Sequence, residues 1–206
     1  MKKMVLFDID YTLFDTELFR EKLYRSIFKV LQVGEKVLAD AQKKTIMKIR
    51  REVGYFNPEE FSKLLARKLK RDKDERLILR AIFKKQNFKG NYYSETKKVV
   101  KQLSKIAKLG IFSKGHDRLQ REKLHAFKEI LDLGDVHITV NKQIVLPSVL
   151  TKYKNYKMYI VDDALDILYA AKKLNKEVFA VWVKRGFYAD KQKNIKNFWF
   201  KKFADF

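Results

Sequence analysis

At 206 residues and 46% hydrophobic content, the chain is long enough for one α/β domain with a modest insertion, or for two small domains, and too apolar to be disordered. Cysteine is absent, which excludes disulfides, thiolate metal sites and cysteine nucleophiles and fits a reducing compartment. Lys and Arg number 47 against 25 Asp and Glu, a net charge of +22. These basic residues recur on every predicted helix without one dominant block, so a compositional bias is favoured over a nucleic-acid footprint. Either way the field attracts anionic substrates.

The chain begins with an apolar run that stops at Asp8, far short of a signal-peptide core. No apolar stretch approaches the length needed to span a bilayer, so no membrane partner and a cytoplasmic location are expected. Residues 4–7 read as a first strand. A long stretch without strand signal follows. Phe19, Leu23, Ile27, Val30 and Leu31 recur at helical spacing within 17–33, and Val37, Leu38, Ala41, Ile46 and Ile49 do so within 35–53. Asn57-Pro58-Glu59-Glu60 reads as a helix start, with Asn as cap, Pro in the first turn and Glu three residues after the cap. Another helix is expected over 74–86. This stretch reads as an inserted helical subdomain. A separate helix over 94–108, capped by Ser94 and stopped by Gly110, leads to a second strand at 110–112.

Three further strands are expected at 136–140, 158–161 and 178–183. All five runs are short and largely apolar rather than alternating, the pattern of strands covered on both faces. Helical patterns separate the last four. The expected fold is therefore α/β, a Rossmann-like parallel sheet of five strands flanked by helices, with an inserted α-helical cap. The basic, aromatic segment 194–206 reads as a helix docked on the core, since exposed aromatics at that density would be a liability.

Two acidic pairs stand out. Asp8 and Asp10 follow the first strand, and Asp162-Asp163 follows the fourth. A calcium-loop reading of Asp8-Ile9-Asp10 fails, because Leu13 stands where such a loop needs Gly and a strand rather than a helix precedes. Either pair could simply cap a turn or a helix. In a parallel sheet, however, all strands end on one edge, so both pairs should face one crevice. Carboxylates converging there must bind a cation or repel one another, and hard oxygen donors without nearby His or Cys suggest Mg²⁺. Ser113-Lys114-Gly115 ends the second strand and Asn141-Lys142 follows the third, which adds a hydroxyl, backbone amides and a lysine suited to a phosphoryl group. Alone, Lys142 would be one surface lysine among many.

Together these segments resemble the haloacid dehalogenase (HAD) superfamily. Asp8-Ile9-Asp10-Tyr11-Thr12 resembles its first motif, with Tyr11 where Gly is most usual. Ser113-Lys114-Gly115 is similar to the second motif, and Gln120-Arg121-Glu122-Lys123-Leu124 sits at the spacing seen after it. Lys142 matches the third-motif lysine, with Lys152 and Lys154 as rivals at the wrong end of the sheet. Asp162-Asp163 matches the fourth, and Ala170-Ala171 follows at a spacing that favours Asp163 as metal ligand with Asp162 in support. Val183-Lys184-Arg185-Gly186 resembles the strand and turn after that. The segment between Lys142 and Asp162 is short for capped members, so its helix must be small.

The resemblance implies a catalytic core at 1–16 and 91–206 and a helical cap at 17–90. It implies Asp8 as the nucleophile that attacks phosphorus and Asp10 as the acid that protonates the leaving group and then activates water. Metal ligation is implied for Asp8, the Asp10 carbonyl and Asp163, with Asp162 alongside, and phosphate binding for Ser113, Lys114 and Lys142. Dehalogenase members lack the second acid, so Asp10 favours a Mg²⁺-dependent phosphatase acting on a small phosphorylated substrate. A phosphomutase or phosphotransferase of the same superfamily is the first alternative. The second is a basic nucleic-acid-binding protein or polynucleotide phosphatase on the same fold.

Overall fold

The computed structural model describes residues 1–127, 135–186 and 189; the segment 194–206, expected as a docked helix, lies outside them. In chain order, β1 (Lys3–Phe7) precedes α1 (Thr16–Leu31), α2 (Glu35–Glu52), α3 (Pro58–Lys68), a 3-10 turn (Asp72–Asp74), α4 (Glu75–Ile82) and the single turn α5 (Lys85–Phe88). Then follow α6 (Thr96–Leu103), β2 (Lys108–Lys114), α7 (Asp117–His125), β3 (Asp135–Thr139), α8 (Lys142–Lys152), β4 (Lys157–Asp162), α9 (Leu165–Leu174) and β5 (Phe179–Trp182).

The chain divides into two compact units. One comprises Met1–Asp15, Tyr92–Lys114 and the described residues from Phe127 onward; the other comprises Thr16–Asn91 and Gly115–Ala126. The first unit is built on a five-stranded sheet of order β3-β2-β1-β4-β5 in which every neighbouring pair is parallel. The expected α/β fold is thus found, with β1 at the centre. The lack of alternation has its reason here. Met4 and Leu6 of β1 join Phe112, Met158 and Ile160 in a core closed by Leu146 and Val149 of α8 and Leu168 of α9. Val5, Phe7, Ile111 and Val161 point to the opposite face and are buried as well. Each such side chain contributes about 1.5–3 kcal/mol by leaving water.

Two sequence expectations need correction. Gly110 does not stop a helix: α6 ends at Leu103 and Gly110 lies inside β2, paired with Leu6 and Asp135. A Cβ there would come within 2.7 Å of the Asp135 carbonyl oxygen and of Met4 Cε, so glycine is required by close approach and not by a cap. Ser94 does not cap α6 either. The cap position belongs to Glu95, without a side-chain cap, and the Ser94 hydroxyl turns to the Glu95 carboxylate at 3.4 Å.

The second unit is all-helical. α4 packs on α1 and α3, and α2 packs on α3. The Asn57 side chain accepts a hydrogen bond from Glu60 N at 3.1 Å, with Pro58 in the first turn, as the sequence predicts. A buried polar seam ties the end of the unit to its start: Asn87 Nδ2 donates to the carbonyls of Ala81 and Ile82, and Lys22 Nζ donates to Asn91 Oδ1. Among the described residues, no helix is long and apolar enough to cross a membrane.

Candidate active site at the carboxyl edge of the sheet

The edge is assembled by register. Phe7 pairs with Ile111 and with Val161, so the next residue, Asp8, emerges between the ends of β2 and β4, and its N–H donates to Val161 O at 2.9 Å. The chain then turns tightly. The Ile9 carbonyl accepts from the N–H groups of Leu13 (3.0 Å) and Phe14 (2.9 Å), and Ile9, Leu13 and Phe14 are fully buried. An apolar anchor thus fixes a loop that carries Asp8, Asp10 and Thr12. Tyr11 takes the left-handed conformation, φ 57°.

Asp162 closes β4 and Asp163 follows it. The Asp162 carbonyl accepts from Val183 N at 3.0 Å, and Trp182 Nε1 donates to the Asp163 carbonyl at 3.1 Å, which ties both acids to the strand beside them. Asp162 Oδ1 also accepts from Ala164 N at 3.0 Å, which closes a turn ahead of α9; the helix-cap role expected of one of the pair is not filled, because Ala164 holds the cap position without a side-chain cap. Lys142 opens α8, whose first turn is held by the Asn141 side chain accepting from Gln143 N and Ile144 N. The small helix required between Lys142 and Asp162 is this α8. Lys142 is only 3% exposed, so it is no surface lysine. Its ammonium donates to Asp8 Oδ1 and to Asp162 Oδ2, each at 2.6 Å. Lys152, the rival, instead pairs with Asp135 at the other end of β3.

Carboxylate oxygens of Asp8, Asp162 and Asp163 all lie within 4.8 Å of one another. Three buried acids against one ammonium leave an excess of negative charge where little water reaches, and this shifts the protonation equilibria. Burial above all, and then the charge of Asp10, raise the Asp8 carboxyl against the opposing pull of Lys142. Burial and the Asp8 charge push Asp162 up to about 7. Burial, Asp8 and Asp162 push Asp163 up to about 9. For Lys142, burial works against the charge, but Asp162 and Asp8 prevail and hold it above the ordinary lysine range, so it stays an ammonium. A divalent cation would replace the held protons and neutralise the excess. The donor set, carboxylate oxygens alone, fits a hard cation such as Mg²⁺. Asp163, which pairs with no ammonium among the described residues, has the carboxylate most open to it.

The other predicted residues take distinct places. Asp10 is half-buried and adds no carboxylate to the trio, but its charge is felt by both Asp8 and Asp163. Ser113 lies one residue from the end of β2, fully buried. Among the described residues its Oγ finds no hydrogen bond of good geometry, although it is near enough to favour the ionised Asp8 slightly. Lys114 is exposed and ends the strand. Sequence reasoning gave no role to Thr12, which is 1% exposed with an Oγ1 that makes no hydrogen bond among the described residues; its place in the first motif was the available signal. It placed Arg185 in the turn after the fourth motif but did not foresee its contacts: the guanidinium is stacked 3.9 Å over the Tyr93 ring and paired with Glu95.

The central strand of a five-stranded parallel sheet thus leads into an acid, a second acid stands two residues on, and a buried lysine and an acidic pair at the end of the next strand complete the cluster. The profile of the family described as haloacid dehalogenase-like hydrolase matches residues 5–181. The chain belongs to that family, and it is a hydrolase. No curated protein matches it by sequence. Among solved structures it is similar to a haloacid dehalogenase-like hydrolase from Burkholderia xenovorans LB400, with a TM-score of 0.79 at 21% identity, covering 100% of this chain and 97% of that one. The HAD-hydrolase YfnB from Bacillus subtilis, bound to magnesium, matches with a TM-score of 0.63 at 13% identity over 88% of each chain. An L-2-haloacid dehalogenase from Xanthobacter autotrophicus with covalently bound chloropropionic acid matches with a TM-score of 0.59 at 14% identity, over 92% of this chain and 80% of that one. At these identities the likeness is one of fold.

Proposed function

We propose that the protein is a Mg²⁺-dependent phosphatase that hydrolyses a small phosphate monoester through a phosphorylated Asp8. The observation that carries this reading is the buried Asp8–Asp162–Asp163 cluster held by Lys142, with a second acid, Asp10, two residues beyond the nucleophile. Dehalogenase-type chemistry has no use for that second acid. A magnesium-bound relative of the same fold supports the metal, while the dehalogenase relatives make halide release the rival outcome.

In this scheme a carboxylate oxygen of Asp8 bonds to phosphorus as the ester P–O bond breaks. Asp10 gives its proton to the departing oxygen, then takes one from the water that attacks the aspartyl phosphate, which restores both acids. Lys142, Ser113, Lys114 and the amides around Ile9 hold the phosphoryl oxygens. Mg²⁺ held by Asp8, Asp163 and the Asp10 carbonyl, with Asp162 alongside, would offset the repulsion between carboxylate and phosphate. The chemistry is assigned to residues 1–16 and 91–206, and substrate choice to residues 17–90.

The test is a panel of phosphate esters, a 5′-phosphorylated oligonucleotide and L-2-chloropropionate, each with and without Mg²⁺. Phosphate release that stops on chelation and returns with Mg²⁺ is expected. Asp8→Asn should form neither product nor covalent phosphate. Asp10→Asn should accumulate phosphate on Asp8 with an aryl ester, seen by intact-protein mass spectrometry after acid quench. Chloride release without phosphatase activity, or wild-type turnover by Asp8→Asn, would overturn the proposal. Turnover confined to the oligonucleotide, with a steep salt dependence, would favour the polynucleotide reading.

A further inference from the structure

Tyr11 stands between Asp10 and Thr12 in the left-handed region, a conformation that costs a residue with a side chain about 1 kcal/mol or more. Two sets of contacts hold it there. Its N–H donates to Phe14 O at 3.0 Å, and Asp10 forms a bridge with Phe14. Its ring lies on Gly186: a Cβ at that glycine would come within 2.5 Å of Tyr11 Cγ and 2.6 Å of Cδ1. Gly186 is itself left-handed, φ 66°, so backbone and ring both demand glycine.

The turn that carries Gly186 is tied to the acidic pair. Val183 N donates to Asp162 O, Trp182 Nε1 to Asp163 O, and Arg185 N to Val183 O at 2.8 Å. Arg185 fastens the same turn to Tyr93 and Glu95. One aromatic ring therefore joins the loop of Asp10 to the turn on which Asp162 and Asp163 lean. Glycine at position 11 would relieve the strain but leave the loop without this fastening.

We propose that Tyr11 is a positioning residue for Asp10: its ring, seated on Gly186, locks the 9–14 loop to the 183–186 turn and fixes the acid relative to Asp8. This rests on the proposed role of Asp10 as general acid and base. Tyr11 touches no reacting atom in this role; it acts through its neighbour.

The experiment compares Tyr11→Gly, Tyr11→Phe, Gly186→Ala and the Tyr11→Gly/Gly186→Ala pair in the full chain with Mg²⁺. Rates are measured with 4-nitrophenyl phosphate, whose leaving group needs little protonation, and with an alkyl phosphate, whose leaving group needs much. Misplacing Asp10 should lower kcat for the alkyl ester about tenfold more than for the aryl ester in Tyr11→Gly, with KM within about twofold. Tyr11→Phe keeps the ring and should stay near wild type on both. In urea unfolding, the losses in Tyr11→Gly and Gly186→Ala should fail to add, because without the ring the new methyl loses its nearest clash and keeps the backbone strain at φ 66°. Equal loss on both esters in Tyr11→Gly, or additive stability losses, would overturn the proposal. If Gly186→Ala does not fold, Tyr11→Gly against Tyr11→Phe decides by the ester ratio alone. A wild type inactive on every phosphate ester would instead sink the phosphatase reading, and the role at Asp10 with it.

Discussion

Replacing Asp163 by Asn should make the metal-free protein more stable, not less. Asp163 is 6% exposed, and burial, with the Asp8 and Asp162 charges, pushes it up to about 9 in the folded state from the ordinary 3.8. An acid whose folded value is raised binds more protons folded than unfolded, so stability is present at low pH and lost as pH rises from about 4 toward 9. At pH 8 the gap from 3.8 sets a ceiling of about 6 kcal/mol, at ~1.4 kcal/mol per unit. At pH 5 the same arithmetic leaves under about 2 kcal/mol. Side-chain relaxation and water entry lower both figures, and we expect Asp163→Asn to gain about 2 kcal/mol at pH 8 and well under half of that at pH 5. At pH 8 that is a rise in Tm of about 5 °C for a chain of this size. The assay is thermal and urea unfolding in chelator at both pH values, repeated with millimolar Mg²⁺. Wild type should gain stability with Mg²⁺, more at pH 8 than at pH 5, because binding must displace the held protons. The variant should gain little. A variant less stable than wild type at pH 8, or one with an undiminished response to Mg²⁺, would refute the reasoning.

Lys142→Met removes the buried partner of two carboxylates at 2.6 Å and should cost about 3–5 kcal/mol at neutral pH in chelator, together with phosphatase activity; urea unfolding and a rate assay check both. Gly110→Ala drives a methyl into the Asp135 carbonyl and the Met4 and Leu6 side chains, and should lose about 2–3 kcal/mol by thermal unfolding, with Mg²⁺ affinity per folded molecule unchanged.

The inner strands β1, β2 and β4 were legible because burial on both faces writes itself as unbroken apolar runs; the edge strands β3 and β5 are only partly buried, yet they too lie where the apolar runs lie. Element ends were less so. Gly110 looks like a helix stop in sequence, and only the closeness of β3, distant in the chain, shows why glycine stands there. Ser94 has the chemistry of a cap, yet the chain enters α6 one residue later. At the site, the order of the acidic pairs along the chain told that they share an edge, since parallel topology permits nothing else. Lys142 could be picked from many lysines only by its place after the third strand; its pairing with Asp8 and Asp162 spans 134 and 20 residues and leaves no local mark. The conformation of Tyr11 was equally hidden, because it depends on Gly186 at the far end of the described chain.

Central placement of β1 also constrains how such a protein can change over generations. Asp8 and Asp162 hold their spacing through the pairing of Phe7 with Val161, and side chains alternate faces along each strand. Gain or loss of one residue inside β1 or β4 would turn an acid away from its partners or restore the strand only by shifting its whole apolar set out of the core. Length variation is therefore barred from the strands and open in the connections between them. Lineages built on this plan are free to rebuild what is inserted after Asp15, while the acids at the sheet edge stay at fixed distances.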